Sequence, residues 1–176
     1  MKMSDTRQIA AAPSEVYAAL LNPEVLKACV PGATAVSGDP ENGFEASVTQ
    51  KVGPVKATFK GQVTLSDMVE NESLTITGEG KGGAAGFAKG GAEVRMSASD
   101  GGTELSYDVE AKVGGKIAQL GSRLIDGFAK KMADEFFTRF QDALEAPEEG
   151  SDEAEAMANG PEDAPKKGWF KRMIGA

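Results

Sequence analysis

From residue 44 onward, apolar and polar side chains trade places with a period of two. Phe44, Ala46, Val48 and Val52 mark one face, with Glu45, Ser47, Thr49 and Lys51 opposite. The pattern returns in Val55, Ala57, Phe59, Val63 and Leu65, in Leu74 and Ile76, in Val94, Met96 and Ala98, and in Leu105, Tyr107, Val109, Ala111 and Val113. One apolar face per strand predicts an antiparallel sheet with its other face in water. Glu41-Asn42-Gly43, residues 67–71 and Asp100-Gly101-Gly102 supply turn chemistry. Ahead of the sheet, residues 4–11 predict a strand. Residues 14–21 predict a short helix after Pro13, and residues 23–30 a second one, with Asn22 as cap and Pro31-Gly32 as stop. After the sheet the period changes. Ile117, Leu120, Leu124, Ile125, Phe128, Met132, Phe136, Phe140 and Leu144 fall at steps of three and four, which predicts one helix over 115–144, ~45 Å long. Phe136 and Phe137 are adjacent, and only one of them is expected to face the sheet. The predicted class is α+β: a curved antiparallel sheet of six to seven strands around a long C-terminal helix. Such a wrap leaves a hydrophobic cavity, or else a filled core.

Charge divides the chain further. Residues 1–144 carry 19 acidic and 15 basic side chains; residues 145–165 carry eight acidic and no basic ones; residues 166–176 carry four basic and no acidic ones. The middle block holds three prolines and one large apolar residue, Met157, too little to offset ordering entropy. The expected organisation is a domain over 1–145, an acidic disordered linker over 146–165 and a basic amphipathic tail over 166–176. The net charge of −8 argues against nucleic acid as a partner. Without histidine there is no Ser-His-Asp triad and no histidine-ligated metal, and a single cysteine forms no internal disulfide. No apolar run approaches the ~20 residues of a membrane span, and Met1-Lys2-Met3-Ser4-Asp5 does not read as a signal peptide. A cytoplasmic location is expected.

Four pieces resemble a known family: Ala12-Pro13-Ser14-Glu15-Val16-Tyr17, Leu26-Lys27-Ala28-Cys29-Val30-Pro31-Gly32, Lys51-Val52-Gly53-Pro54-Val55-Lys56-Ala57-Thr58-Phe59-Lys60-Gly61, and the glycine-rich residues 78–91. With the element order, they resemble the G subunit of carbon monoxide dehydrogenase (CoxG), within the helix-grip, Bet v 1-like (SRPBCC, START-like) superfamily. The resemblance implies a helix-grip fold with a hydrophobic cavity and no catalytic residues. It also implies an accessory role in bringing molybdenum carbon monoxide dehydrogenase to the cytoplasmic membrane, peripherally on its inner face. A membrane lipid is the expected ligand, with an isoprenoid quinone, menaquinone or ubiquinone, as the candidate and no covalent cofactor. The ligand-binding set is Leu21, Leu26, Val48, Phe59, Val63, Leu74, Ile76, Phe87, Met96, Leu105, Tyr107, Leu120, Leu124, Phe128 and Met132. Two other readings stand beside this one: a pure protein adaptor without ligand, and a polyketide cyclase/hydrolase-like enzyme, which needs a convergent acid/base pair.

Local signals carry alternatives. Gly78-Glu79-Gly80-Lys81-Gly82-Gly83 matches G-x-G-x-x-G, but strand-like sequence follows where a dinucleotide site needs a helix. Ten glycines or alanines within 78–91 predict a thin, bent sheet edge, either a mouth loop or a plain bulge, with Phe87 as a gate or a core anchor. Tyr17, Tyr107, Glu15, Arg95 and Lys112 are candidates for a polar spot in the cavity; surface positions are the alternative. Cys29, at a helix end, reads as packing, since no base accompanies it. In the tail, Trp169, Phe170, Met173 and Ile174 fall within about 140° on a helical wheel, flanked by Lys166, Lys167, Lys171 and Arg172. Such a segment suits weak, reversible contact with an anionic leaflet, or docking on a protein partner.

Overall fold

The computed structural model describes residues 1–145; the linker and tail expected over 146–165 and 166–176 lie outside the described residues. Strand β1 (Lys2–Ile9) leads into helices α1 (Pro13–Leu20) and α2 (Pro23–Cys29). Strands β2 (Ala33–Asp39), β3 (Gly43–Val52), β4 (Val55–Val69), β5 (Ser73–Lys81), β6 (Phe87–Ser99) and β7 (Gly102–Gly114) follow, and α3 (Ser122–Leu144) closes the domain. One antiparallel sheet runs β1-β7-β6-β5-β4-β3-β2, a meander that takes up β1 beside β7. This is the sheet with a C-terminal helix expected from the alternation, and the helix-grip fold that the resemblance implies.

Local chemistry fixes the boundaries. Pro13 and Pro23 sit in the first turns of α1 and α2, where the missing N–H costs nothing, and Asn22 Oδ1 accepts the Glu24 amide at 2.9 Å. The C-terminal helix is shorter than its apolar spacing predicts. Gly121 adopts φ +92°, which an α-helix cannot continue through, so a 3-10 turn (Ile117–Leu120) precedes α3. That leaves a helix ~34 Å long. β2 is a strand that the alternation does not mark. The residues of 78–91 do not form a sheet edge. They build a tight hairpin between β5 and β6 in the middle of the sheet, where Gly83 and Gly86 take positive φ.

The core occupies one end of the concave face. Phe140 and Leu144 of α3 are fully buried among Val16 of α1, Val25 and Cys29 of α2, and Leu74, Met96 and Leu105 of the sheet. Thr103, the buried polar residue of this region, donates its hydroxyl to Ala11 O at 2.6 Å. Burial pushes the Cys29 thiol up to about 12; Arg139 works weakly against the shift. Packing, not reactivity, is therefore this cysteine's role.

Two outcomes follow from the filled end. Phe140→Ala should destabilise the domain by about 3–5 kcal/mol in urea unfolding; a loss below ~1 kcal/mol would mean that α3 does not depend on this contact. The raised Cys29 pKa stabilises the fold fully below the unfolded thiol's value. That contribution is lost as pH climbs from about 9 toward about 12, because the unfolded chain sheds its proton first. Cys29→Ala should flatten the alkaline fall in stability over this window.

Candidate functional site: an apolar cavity with one polar wall

Beyond the filled end, α3 lifts away from the sheet and leaves a cavity of about 560 Å³. Its wall comes from α3 (Ile125, Phe128, Ala129, Met132, Ala133, Phe136, Phe137), from the inward faces of all seven strands, and from Leu20, Leu26, Val30 and Pro31 around the first two helices. Small inward residues make the room: Ala46, Ala88, Ala92 and Ala111 stand where larger side chains would meet the helix. Almost every wall residue is aliphatic or aromatic.

Eight of the fifteen expected ligand-contacting residues line this space: Leu26, Val48, Val63, Ile76, Leu105, Tyr107, Phe128 and Met132. The other seven do not. Leu74 and Met96 point inward but lie one step along the strands, inside the filled core. Leu21 packs against that core from the end of α1. Phe59 shares the inward face of β4, yet its ring lies against Gly82 at the β5–β6 turn. Phe87 is on the outer face, 39% exposed, with its ring over Gly114, so it gates nothing. Leu120 and Leu124 lean on Gly53 at the β3–β4 turn, and Leu124 is 41% exposed.

The polar spot is also corrected. Of Tyr17, Tyr107, Glu15, Arg95 and Lys112, only Tyr107 belongs to the cavity wall. Tyr17 is buried in the core. Arg95 lies on the outer face, 2.5 Å from Asp108, and Lys112 is exposed on that face too. Phe136 and Phe137 both line the cavity, with ring centroids 5.1 Å apart and planes near perpendicular, so neither is left to cover a partner.

Arg7 is a site residue that the sequence pattern did not single out. It shares the inward phase of β1 with Met3 and Ile9, which was the available signal. Its guanidinium lies 5.1 Å from the Phe137 ring centroid, and Phe137 in turn stacks on Tyr107 at 5.2 Å. Arg7 reaches Asp134 of α3 at 2.5 Å and Asp5 at 3.1 Å. Burial lowers its pKa, but hydrogen bonds with Asp134 and Tyr107 and the charge of Asp5 outweigh that and leave it raised. Arg7 is therefore a cation fixed by Asp134 and Asp5 beside the Phe137–Tyr107 pair. This geometry can orient a ligand's polar group through a single hydrogen bond while the rest of the ligand meets hydrocarbon. Among the described residues, no cluster of His, Cys, Asp or Glu could hold a metal ion, and no helix is long and apolar enough to cross a membrane.

Comparisons with known proteins agree with the fold. A conserved protein from Geobacillus kaustophilus superposes with a TM-score of 0.74 at 25% identity, over 80% of this chain and 93% of that one. Protein Ms6760 from Mycobacterium smegmatis gives 0.61 at 17% identity, over 83% and 91%. Ara h 8.0201 gives 0.54 at 12% identity, over 80% and 95%, and marks the architecture as Bet v 1-like. No curated protein sequence matches the chain. The family model for the G subunit of carbon monoxide dehydrogenase (CoxG) matches residues 6–145, the whole of the domain built around this cavity but for its first five residues. The chain belongs to the CoxG family.

Proposed function

We propose that this CoxG-family protein is a non-enzymatic accessory of molybdenum carbon monoxide dehydrogenase. It carries an isoprenoid quinone in its cavity and brings the enzyme to the cytoplasmic membrane. The observation that carries this reading is the cavity itself: about 560 Å³ lined by hydrocarbon, with Tyr107 as its polar contact. Cavities of ~300–1,000 Å³ suit drug-sized ligands. Apolar space left empty forfeits dispersion contacts that a fold would otherwise gain. A quinone supplies what the wall asks for: a flat ring to lie among Phe128, Phe136 and Phe137, a carbonyl to accept from Tyr107, and an isoprenoid chain for the aliphatic remainder. The dehydrogenase's electrons must reach a carrier that lives in the bilayer, and a protein holding that carrier joins the two.

A pure adaptor has no use for the cavity. A cyclase-like enzyme needs an acid/base pair converging on its substrate; the support for a carrier is that Tyr107 faces an otherwise apolar wall. For the membrane step, the support is the sequence of residues 166–176, where Trp169 and Phe170 sit among Lys166, Lys167, Lys171 and Arg172.

Mass spectrometry of an organic extract of the purified protein should find menaquinone or ubiquinone, and reconstitution should load either one. The absence of both extractable quinone and uptake would refute the carrier. Ala92→Trp should abolish loading by filling the cavity, and Tyr107→Phe should weaken it about fivefold, the loss of one hydrogen bond. Removing residues 166–176 should reduce sedimentation with vesicles and leave the melting temperature unchanged; undiminished sedimentation would end the tail's role as an anchor.

A further inference from the structure

An antiparallel meander sends alternate turns to opposite ends of the sheet. At one end lie the β2–β3, β4–β5 and β6–β7 turns and the close of α3. At the other lie the β3–β4 and β5–β6 turns, the link after β7 and the start of α3. Segments 48–60, 80–89 and 112–131 build this second end and the adjoining half of α3. They hold ten lysines or arginines and one acidic residue, Asp126. The remainder of residues 1–144 holds five basic and 18 acidic side chains. A domain with a small average charge is thus strongly polarised, +9 against −13.

At the basic end an exposed apolar side chain of α3 adjoins the cavity-lining Ile125 and Phe128. Leu124 is 41% exposed and lies over the β3–β4 turn, so close that a Cβ on Gly53 would stand 2.9 Å from its Cδ2. Leu120 lies beside it. Between this turn and α3 is a surface hollow that Arg123, Gly127 and Lys131 also border. Phe128 lines both the hollow and the cavity. Gly127 is a helix-interior glycine whose absent Cβ would meet nothing within 4 Å, so no packing contact requires it. It does leave the approach to Phe128 clear. Lys56, Lys116, Arg123 and Lys131 are exposed and have no ion-pair partner among the described residues.

We infer that this end is a docking face for an anionic lipid bilayer, and that ligand passes between bilayer and cavity through the hollow between the β3–β4 turn and α3, past Phe128. An exposed leucine, Leu124, among cations without an ion-pair partner among the described residues fits the headgroup–hydrocarbon boundary. The acidic pole at the far end of the domain is repelled by the same surface, so the field turns the hollow toward the membrane. Passage of ligand rests on the carrier reading above; docking does not.

The test uses the full chain with Lys166, Lys167, Lys171 and Arg172 changed to Gln, so that the tail does not mask the domain. Binding is measured to vesicles of phosphatidylcholine mixed with phosphatidylglycerol and to phosphatidylcholine alone. The chain should prefer the mixed vesicles and lose that preference with added salt. Adding Lys56→Gln, Lys116→Gln and Arg123→Gln should lower binding at least about tenfold, since one basic residue near an anionic leaflet contributes roughly fivefold. Loading with menaquinone from detergent micelles should be unchanged, while transfer from mixed vesicles should slow in step with binding. Undiminished vesicle binding by the triple variant overturns the inference. So does undiminished vesicle binding accompanied by lost binding to purified carbon monoxide dehydrogenase, which would assign the face to a protein. Vesicle results as expected with no menaquinone uptake from micelles by the parent would overturn the carrier reading and leave the docking face in place.

Discussion

A single 23-residue helix has to cover the concave face of a seven-stranded sheet. It cannot touch all of it. The C-terminal turns of α3 press Phe140, Ala143 and Leu144 into the sheet and the first two helices, and this contact excludes solvent completely. Farther back, the helix stands off and leaves the cavity of about 560 Å³. The filled end supplies the apolar burial that a domain of this size needs, which frees the other end to stay hollow. Were the whole face packed, there would be no cavity; were the filled end lost, nothing would hold the helix over one.

The aromatic side chains link the two ends. Phe140 stacks with Phe136 at 5.4 Å, Phe136 meets Phe137 edge-on, and Phe137 stacks with Tyr107. Each contact of this type adds about 0.5–1.5 kcal/mol beyond area burial. The larger consequence is positional. The Tyr107 ring is held by rings whose own positions are set in the closed core.

The alternation of apolar residues made the sheet legible, because β3, β4, β6 and β7 each keep one face in water. It left β2 unmarked, since that strand is mostly exposed and no buried face writes a pattern into it. For the cavity, periodicity gives the face of a residue but not its place along the strand. Ile76 and Leu74 share a phase, as do Val94 and Met96, yet one of each pair lines the cavity and the other packs the core. Leu120 and Leu124 fit a helical stripe on paper. The positive φ of Gly121 breaks the stripe, and the β3–β4 turn, some 70 residues earlier in the chain, claims both leucines. The charge polarity was hidden for the same reason: lysines scattered from 51 to 131 meet only when the meander folds.

Arg7 shows how one ion pair serves both stability and site. A guanidinium that is one-fifth exposed, set against an aromatic ring, is costly unless its donors find acceptors. Asp134 and Asp5 both pair with Nη2, and the Asp134 contact ties α3 to β1 through residues 127 apart in the chain. The same cation lies over Phe137, which stacks on Tyr107. A change at Arg7 would therefore loosen the helix and the Phe137–Tyr107 stack together. Asp134, by contrast, does not line the cavity, so its removal would act there through the helix and the arginine it holds.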